Sequence, residues 1–245
     1  MKFVATKTAD QLDLQALHRV RERLVSQRTG HHQSDPRLPA GARHCGTAGT
    51  TLLACRAAAH PCRTLRRAVA THGAHLIEDL AGDWRRLDER IEGLSSEIEA
   101  IARQDAGCER LMSVPGIGPI ISSAMVAAIG SGEVFTKGRD FAAWLGLVPR
   151  QMSTGGRTIL GRISKRGNRY LRVLFVQAAW VVLIKPKSWE RHGLKSWIEA
   201  AKKRLHPNVL AIALANKLAR IAWGVLAHGR DFEVRKISEA AAQSA

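Results

Sequence analysis

Apolar residues recur every three or four positions along much of the chain, and that spacing predicts helices. Over residues 8–28, Leu14, Leu17, Val20, Leu24 and Val25 give one helical stripe, with Thr8 or Asp10 placed to cap it. Residues 76–104 carry a sharper pattern. Ile77, Leu80, Trp84, Leu87, Ile91, Leu94, Ile98 and Ile101 alternate steps of three and four, and acids and arginines fill the other faces. Such heptads are a coiled-coil signature, weakened at Gly82 and Gly93. They predict self-association into a homo-oligomer through residues 77–101, an intramolecular helical hairpin, or a long helix packed on its own domain.

The pattern changes after residue 110. "RLMSVPGIGPIISSAMVAAIGS" (110–131) predicts a short helix, a Pro-Gly-Ile-Gly-Pro turn and an apolar helix, the layout of a helix-hairpin-helix element. In such an element Gly116 and Gly118 would let backbone N–H groups approach a phosphate at a helix N-terminus; without a ligand, the same residues make a tight interhelical turn. Residues 139–146 predict a short helix with Phe141, Trp144 and Leu145 inward. Residues 168–184 predict an apolar helix, 188–204 a Lys-rich amphipathic one. The last helix starts at Pro207-Asn208, has Leu210, Leu214, Lys217, Leu218, Ile221 and Val225 on or near one face, and stops at His228-Gly229. Beyond Phe232 the tail is rich in Ala, Ser and Gln, which predicts fraying. The fold class expected is mainly α: a long coiled-coil-like helix, then a helical domain with a helix-hairpin-helix element and room for a small β-hairpin.

Residues 30–75 obey neither period. They hold six of the ten His and three of the four Cys. Cys45, Cys55, His60 and Cys62 suggest zinc, but their spacing matches no paired Cys-x-x-Cys pattern. A translation out of frame explains the stretch better. Back-translated with chosen codons and shifted by one base, residues 31–62 give a stop-free, helical, core-like sequence that would continue the first helix. The expected organisation is therefore a helical remnant (1–29), an irregular out-of-frame segment (30–75), a coiled-coil helix (76–109), a DNA-binding domain (110–230) and a frayed tail (231–245).

Charge points to the partner. The chain carries a formal +17, and residues 113–230 alone hold 19 basic and 4 acidic side chains. A field of that size suggests nucleic acid or an anionic membrane surface. The apolar run Val173–Ile184 is interrupted by Gln177 and is too short to span a bilayer, and Met1-Lys2-Phe3 opens no secretory signal. Four cysteines in such a chain read as reduced thiols. The expectation is a cytoplasmic protein with DNA as partner and no membrane.

The densest basic stretch is "VPRQMSTGGRTILGRISKRGNRYLR" (148–172), with seven Arg or Lys, four Gly, two Ser and no acid. Glycines allow close approach to a phosphate, and Arg157, Arg162, Lys165, Arg166 and Arg169 could hold it and stabilise charge growing on it. Ser153 and Thr154 either close a turn or present a hydroxyl to that phosphate, where a serine acts as nucleophile only if activated and positioned. Ser164, before Lys165-Arg166-Gly167-Asn168, is the rival serine and reads as a turn, cap or phosphate-contact residue. Ser113, Ser122 and Ser123 read as structural or phosphate-contacting.

Three motifs in order, "LMSVPGIGPIISSAMVAAIG", "FAAWLGLVPRQMSTGG" and "GRISKRGNRYLRVLFVQAAW", resemble the C-terminal domain of the Piv-type DEDD transposases of bacterial insertion sequences (the "IS one-ten" family). Residues 1–29 resemble the segment that follows that family's RuvC-like domain. The resemblance implies DNA transposition or site-specific recombination. It implies a serine nucleophile in the loop matching Ser153-Thr154-Gly155-Gly156, a guide RNA from the element, and divalent metal (Mg2+) bound by four acids of the RuvC-like domain. Asp10 and Asp13 do not fit that quartet, so no cofactor is expected in this chain and it is expected to be inactive alone. A non-catalytic DNA- or RNA-binding helix-hairpin-helix module is the alternative reading.

Overall fold

The computed structural model describes residues 6–34, 71–185 and 193–233. The described residues are mainly helical: α1 (Ala9–Ser34), α2 (Thr71–Gln104), α3 (Ala106–Met112), α4 (Pro119–Ile129), α5 (Gly138–Trp144), α6 (Arg169–Ile184), α7 (Lys195–Lys202) and α8 (Pro207–His228), with one antiparallel pair, β1 (Pro149–Thr154) and β2 (Arg157–Ile163). Much of the segment expected to be out of frame, and all four of its candidate zinc ligands, lie outside the described residues. So does part of the Lys-rich stretch before α7. Two compact units divide the chain: residues 16–97, and residues 98–245 together with 1–15.

The described residues of the first unit form an antiparallel helix pair. Arg21 donates from Nε to Ser95 Oγ at 2.9 Å, and Arg28 pairs with Asp88 at 2.5 Å. Ascending α1 therefore means descending α2. Leu24 and Ile91 are buried, while Leu87 and Leu94 are half-buried. Of the three outcomes left open for the heptads, pairing within the chain is the one this unit displays. Two positions differ from the sequence pattern. Val20 is 45% exposed, and its neighbour His18 is buried instead. On α2, Ile101 is 37% exposed and Ala102 takes the inward place. A straight helix turns every 3.6 residues, so a stripe spaced at 3.5 drifts off the buried face.

The second unit has one core. Phe141, Leu145, Phe175, Leu214, Leu218, Leu111 and Met125 are fully buried in it. Each such side chain contributes roughly 1.5–3 kcal/mol by leaving water. α8 is its spine, packing on α6, α5, α3 and α7. Ala211, Ala215, Ala219 and Ala222 are completely buried along it, small side chains where neighbours come near. Pro207 fits the first turn, the His206 ring accepts from the Asn208 N–H at 3.3 Å, and Gly229 ends the helix with φ +61°. Among described helices α8 alone is long and apolar enough to cross a membrane by length and composition; 56% of that stretch is buried in the structure. The apolar run noted in the sequence, Val173–Ile184, lies instead in the shorter α6.

α3 and α4 pack together through the turn 113–118. Asp105 caps α3 by accepting from the Cys108 N–H at 2.7 Å. Burial, and then the Asp105 charge beside it, push the Cys108 thiol up to about 12, so it stays protonated and inert. Ser122 and Ser123 are fully buried and donate to the Pro119 carbonyl at 3.0 and 2.6 Å. Ser113 donates to the Arg110 carbonyl at 2.6 Å and accepts from the Phe232 N–H at 2.8 Å. These three serines serve the backbone.

Candidate nucleic-acid interface

The stretch 148–172 becomes a ribbon on a locked root. Two glycines make the lock. A Cβ on Gly146 (φ +73°) would stand 2.2 Å from the Arg166 carbonyl oxygen, and one on Gly167 (φ +81°) 1.8 Å from that of Trp144. No side chain fits either place. The Lys165 N–H donates to the Gly146 carbonyl at 3.1 Å and the Ser164 N–H to Val148 at 2.9 Å. Arg172, from α6, donates to the carbonyls of Leu145 (2.9 Å) and Arg166 (3.2 Å), tying both sides of the root to one guanidinium. Asn216 on α8 donates to the Leu147 carbonyl at 3.3 Å. The Asn168 side chain then caps α6 by accepting from the Leu171 N–H at 3.1 Å.

From that root β1 and β2 run out together. Ser153 stands opposite Thr158 and Thr154 opposite Arg157, leaving Gly155 (φ +61°) and Gly156 as a two-residue turn, the shortest hairpin connection and one that demands glycine. The register shifts between Pro149 and Gln151: Gly161 and Arg162 lie where only Arg150 opposes them, a bulge that bends the strand. Every residue of the ribbon is exposed except half-buried Ile163. Leu160 and Met152 are 66% and 63% exposed. The ribbon thus carries bare apolar residues and positive charge with no acid, a surface that attracts anions.

The expected phosphate-binding residues fall at two levels. Ser153, Thr154, Gly155, Gly156 and Arg157 are at the tip. Ser164, Lys165, Arg166 and Arg169 are at the root. Six residues, Thr158 to Ile163, stand between Arg157 and Ser164, about 20–23 Å at strand rise, with Arg162 among them. Side chains alternate along a strand, which sets Arg157, opposite Thr154, on the other face from Ser153. Ser153 accepts from the Gln151 side-chain N–H at 2.9 Å. Ser164 gives its carbonyl to Arg150 at 3.3 Å. Lys165 is the one described non-glycine residue with positive φ (+55°).

The other proposed glycines divide. A Cβ on Gly116 (φ +82°) would lie 2.6 Å from Val182 and 3.0 Å from the Ala178 carbonyl, so Gly116 lets the turn pack on α6. Gly118 has open space and heads α4 without a side-chain cap. The sequence reading passed over Arg150, Gln151, Arg172 and Asn216, which position the ribbon. The first three stood within the basic stretch; Asn216 had no local signal. Among the described residues no three His, Cys, Asp or Glu side chains gather where they could hold a metal, so the described residues do not fit the Mg2+ site that the resemblance assigns to an acidic domain.

Residues 108–193, from α3 past α6, match the family described as "Transposase IS116/IS110/IS902 family". The chain is 40% identical over 233 residues to a "Probable family 20 transposase" of Pseudomonas aeruginosa, covering 92% of this chain and 67% of that protein. It is 37% identical over 234 residues to the "Transposase for insertion sequence element IS1328" of Yersinia enterocolitica (95% and 68%). It is 33% identical over 236 residues to the "Transposase for insertion sequence element IS1111A" of Coxiella burnetii (92% and 62%). The chain belongs to this family of insertion-sequence transposases, and it spans about two thirds of the length of these relatives.

Proposed function

We propose that residues 98–233 are the DNA-binding, serine-bearing part of an insertion-sequence transposase, working in the cytoplasm on transposition or site-specific recombination. One observation carries this: an exposed, acid-free two-stranded ribbon, locked at its root by Gly146, Gly167 and Arg172, that presents Ser153 beside a Gly-Gly turn. A two-stranded ribbon is narrow enough to enter the major groove of DNA. The root cations Lys165, Arg166 and Arg169 hold the backbone; Ser153 is the hydroxyl that attacks a phosphodiester, joining its Oγ to phosphorus as the leaving strand departs as an alcohol. The open turn at Gly118 and the N-terminus of α4, in a helix-hairpin-helix role, offer another phosphate contact. By the family resemblance, a guide RNA of the element takes part in target choice; by the heptad pattern, copies associate through the faces of residues 77–101 left open beside α1.

The test is salt dependence. Each phosphate neutralised steepens the fall of log K with log salt by about 0.9. Replacing Lys165, Arg166 and Arg169 by Ala should weaken duplex DNA binding and lower that slope by about 2–3. Equilibrium titrations at several salt concentrations measure it. An unchanged slope would move the site away from the ribbon root.

A further inference from the structure

Outside the ribbon, the same unit holds a second cationic feature. The start of α5, α7 and α8 surround a cleft of about 910 Å3, lined among others by Lys137, Arg139, Lys217, Arg220, Trp197 and Asn216. It is built, not incidental. Gly138 brings the α5 start against α8: a Cβ there would lie 3.1 Å from both the Arg220 carbonyl oxygen and the Trp223 ring. The Trp223 indole N–H donates to the Gly132 carbonyl at 3.0 Å, fixing the preceding loop. Lys217 lies with its Nζ 4.5 Å from the centre of the Trp197 ring, a contact that favours the charged ammonium.

Among the described residues none of Lys137, Arg139, Lys217 and Arg220 is in an ion pair. Asp140, next to Arg139, accepts instead from the Thr136 hydroxyl at 3.1 Å. Burial, and then the Arg220 charge, hold the Lys217 ammonium below its ordinary pKa. Like charges around a concave surface focus a positive potential and draw an anion in. The cleft also runs far. Its α8 wall extends from Ala213 to His228, about 22 Å at helical rise, against about 3.4 Å per nucleotide along one strand of a duplex. That suits a run of phosphates better than one free phosphate or nucleotide. Asn216 joins it to the ribbon, lining the cleft while bonding to Leu147 just before β1.

We propose that this cleft is a second anchor for the DNA that the ribbon engages: Lys137, Arg139, Lys217 and Arg220 bind the sugar-phosphate backbone after it leaves the ribbon root. The inference rests on the ribbon's reading as a DNA-binding element. It makes the root and the cleft successive grips on one duplex, coupled mechanically through Asn216.

The test uses the full 245-residue chain. Lys137→Ala, Arg139→Ala and Arg220→Ala are combined; all three side chains are exposed, so the fold is spared, and Lys217 is left to cover Trp197. Arg220→Gln alone is the milder companion. Binding to a duplex of about thirty base pairs is titrated across salt, beside the Lys165/Arg166/Arg169 variant and an RNA hairpin of similar length. The triple variant should lose about tenfold or more in DNA affinity at low salt and about 2–3 from the slope, and Arg220→Gln about 1 from the slope. A slope unchanged in the cleft variants but lowered in the ribbon variant overturns the second anchor and leaves the ribbon standing. Slopes unchanged in both overturn both readings. A cleft variant that loses RNA but not DNA binding overturns the assignment to DNA.

Discussion

Lys165 holds a left-handed backbone (φ +55°) that costs a side chain roughly 1–2 kcal/mol. Its amide bonds to Gly146, so the root demands the conformation, and glycine would meet that demand without the steric cost. A lysine there is explained if its charge is used. Lys165→Gly should melt at the same temperature or slightly higher, yet bind duplex DNA more weakly with a salt slope lower by about 1. Thermal denaturation and titration on the same sample check both halves. A variant with unchanged affinity and slope removes Lys165 from the interface. Gly146 and Gly167 stand at the other extreme, since neighbouring carbonyls already fill the space of a Cβ.

The helix pair of residues 16–97 is sensitive to pH through His18. This ring is buried on α1, and burial, followed by the charge of Arg21, lowers its pKa to about 4. The unfolded chain would protonate it near 6.5. With the folded pKa depressed, the unfolded state binds more protons between these values, so stability is complete above about pH 6.5 and falls as pH drops toward 4. Over that window the loss amounts to about 2–3 kcal/mol. Urea unfolding at pH 7 and 4.5 should show it, and His18→Gln should shrink the difference between the two by that amount. If the substituted protein keeps the full difference, other groups cause the pH dependence. The heptad stripe made the long helix α2 legible from sequence, but left its pairing open and gave no sign of the inward polar members. His18 and Arg21 were invisible to a search for apolar periodicity.

At the scale of the molecule the question is chemistry. The recorded partner of Ser153 Oγ is an amide N–H from Gln151, a donor that takes no proton. Residues 148–172 contain no Asp, Glu or His. Attack by Ser153, as proposed, would release a proton that has to go to a base outside this stretch. The purified chain should therefore bind DNA and form no serine–DNA adduct, with or without Mg2+, as read on a denaturing gel. An acidic RuvC-like domain supplied in trans should produce the adduct. Ser153→Ala should abolish it and leave binding within about threefold. An adduct in the Ser153→Ala protein would transfer the role to Ser164; one formed by the chain unaided would place the base within these 245 residues.

Sequence alone determined the mainly helical class, the helix starts at Pro207 and Asn168, and the family. Each of these is written in neighbouring residues, as a local period, a cap or a motif. Only the tertiary structure decided that the basic stretch is a ribbon with its serine at the tip and most of its cations at the root, since spacing along a chain does not give distance across a hairpin. It alone turned Gly116 toward packing, because the clash that excludes a side chain comes from Val182 and Ala178 on α6. It also assembled the cleft from residues 137–139, 197 and 213–228. Those charges are scattered in sequence, and it is the burial of α8 as the core's spine that brings them to one face.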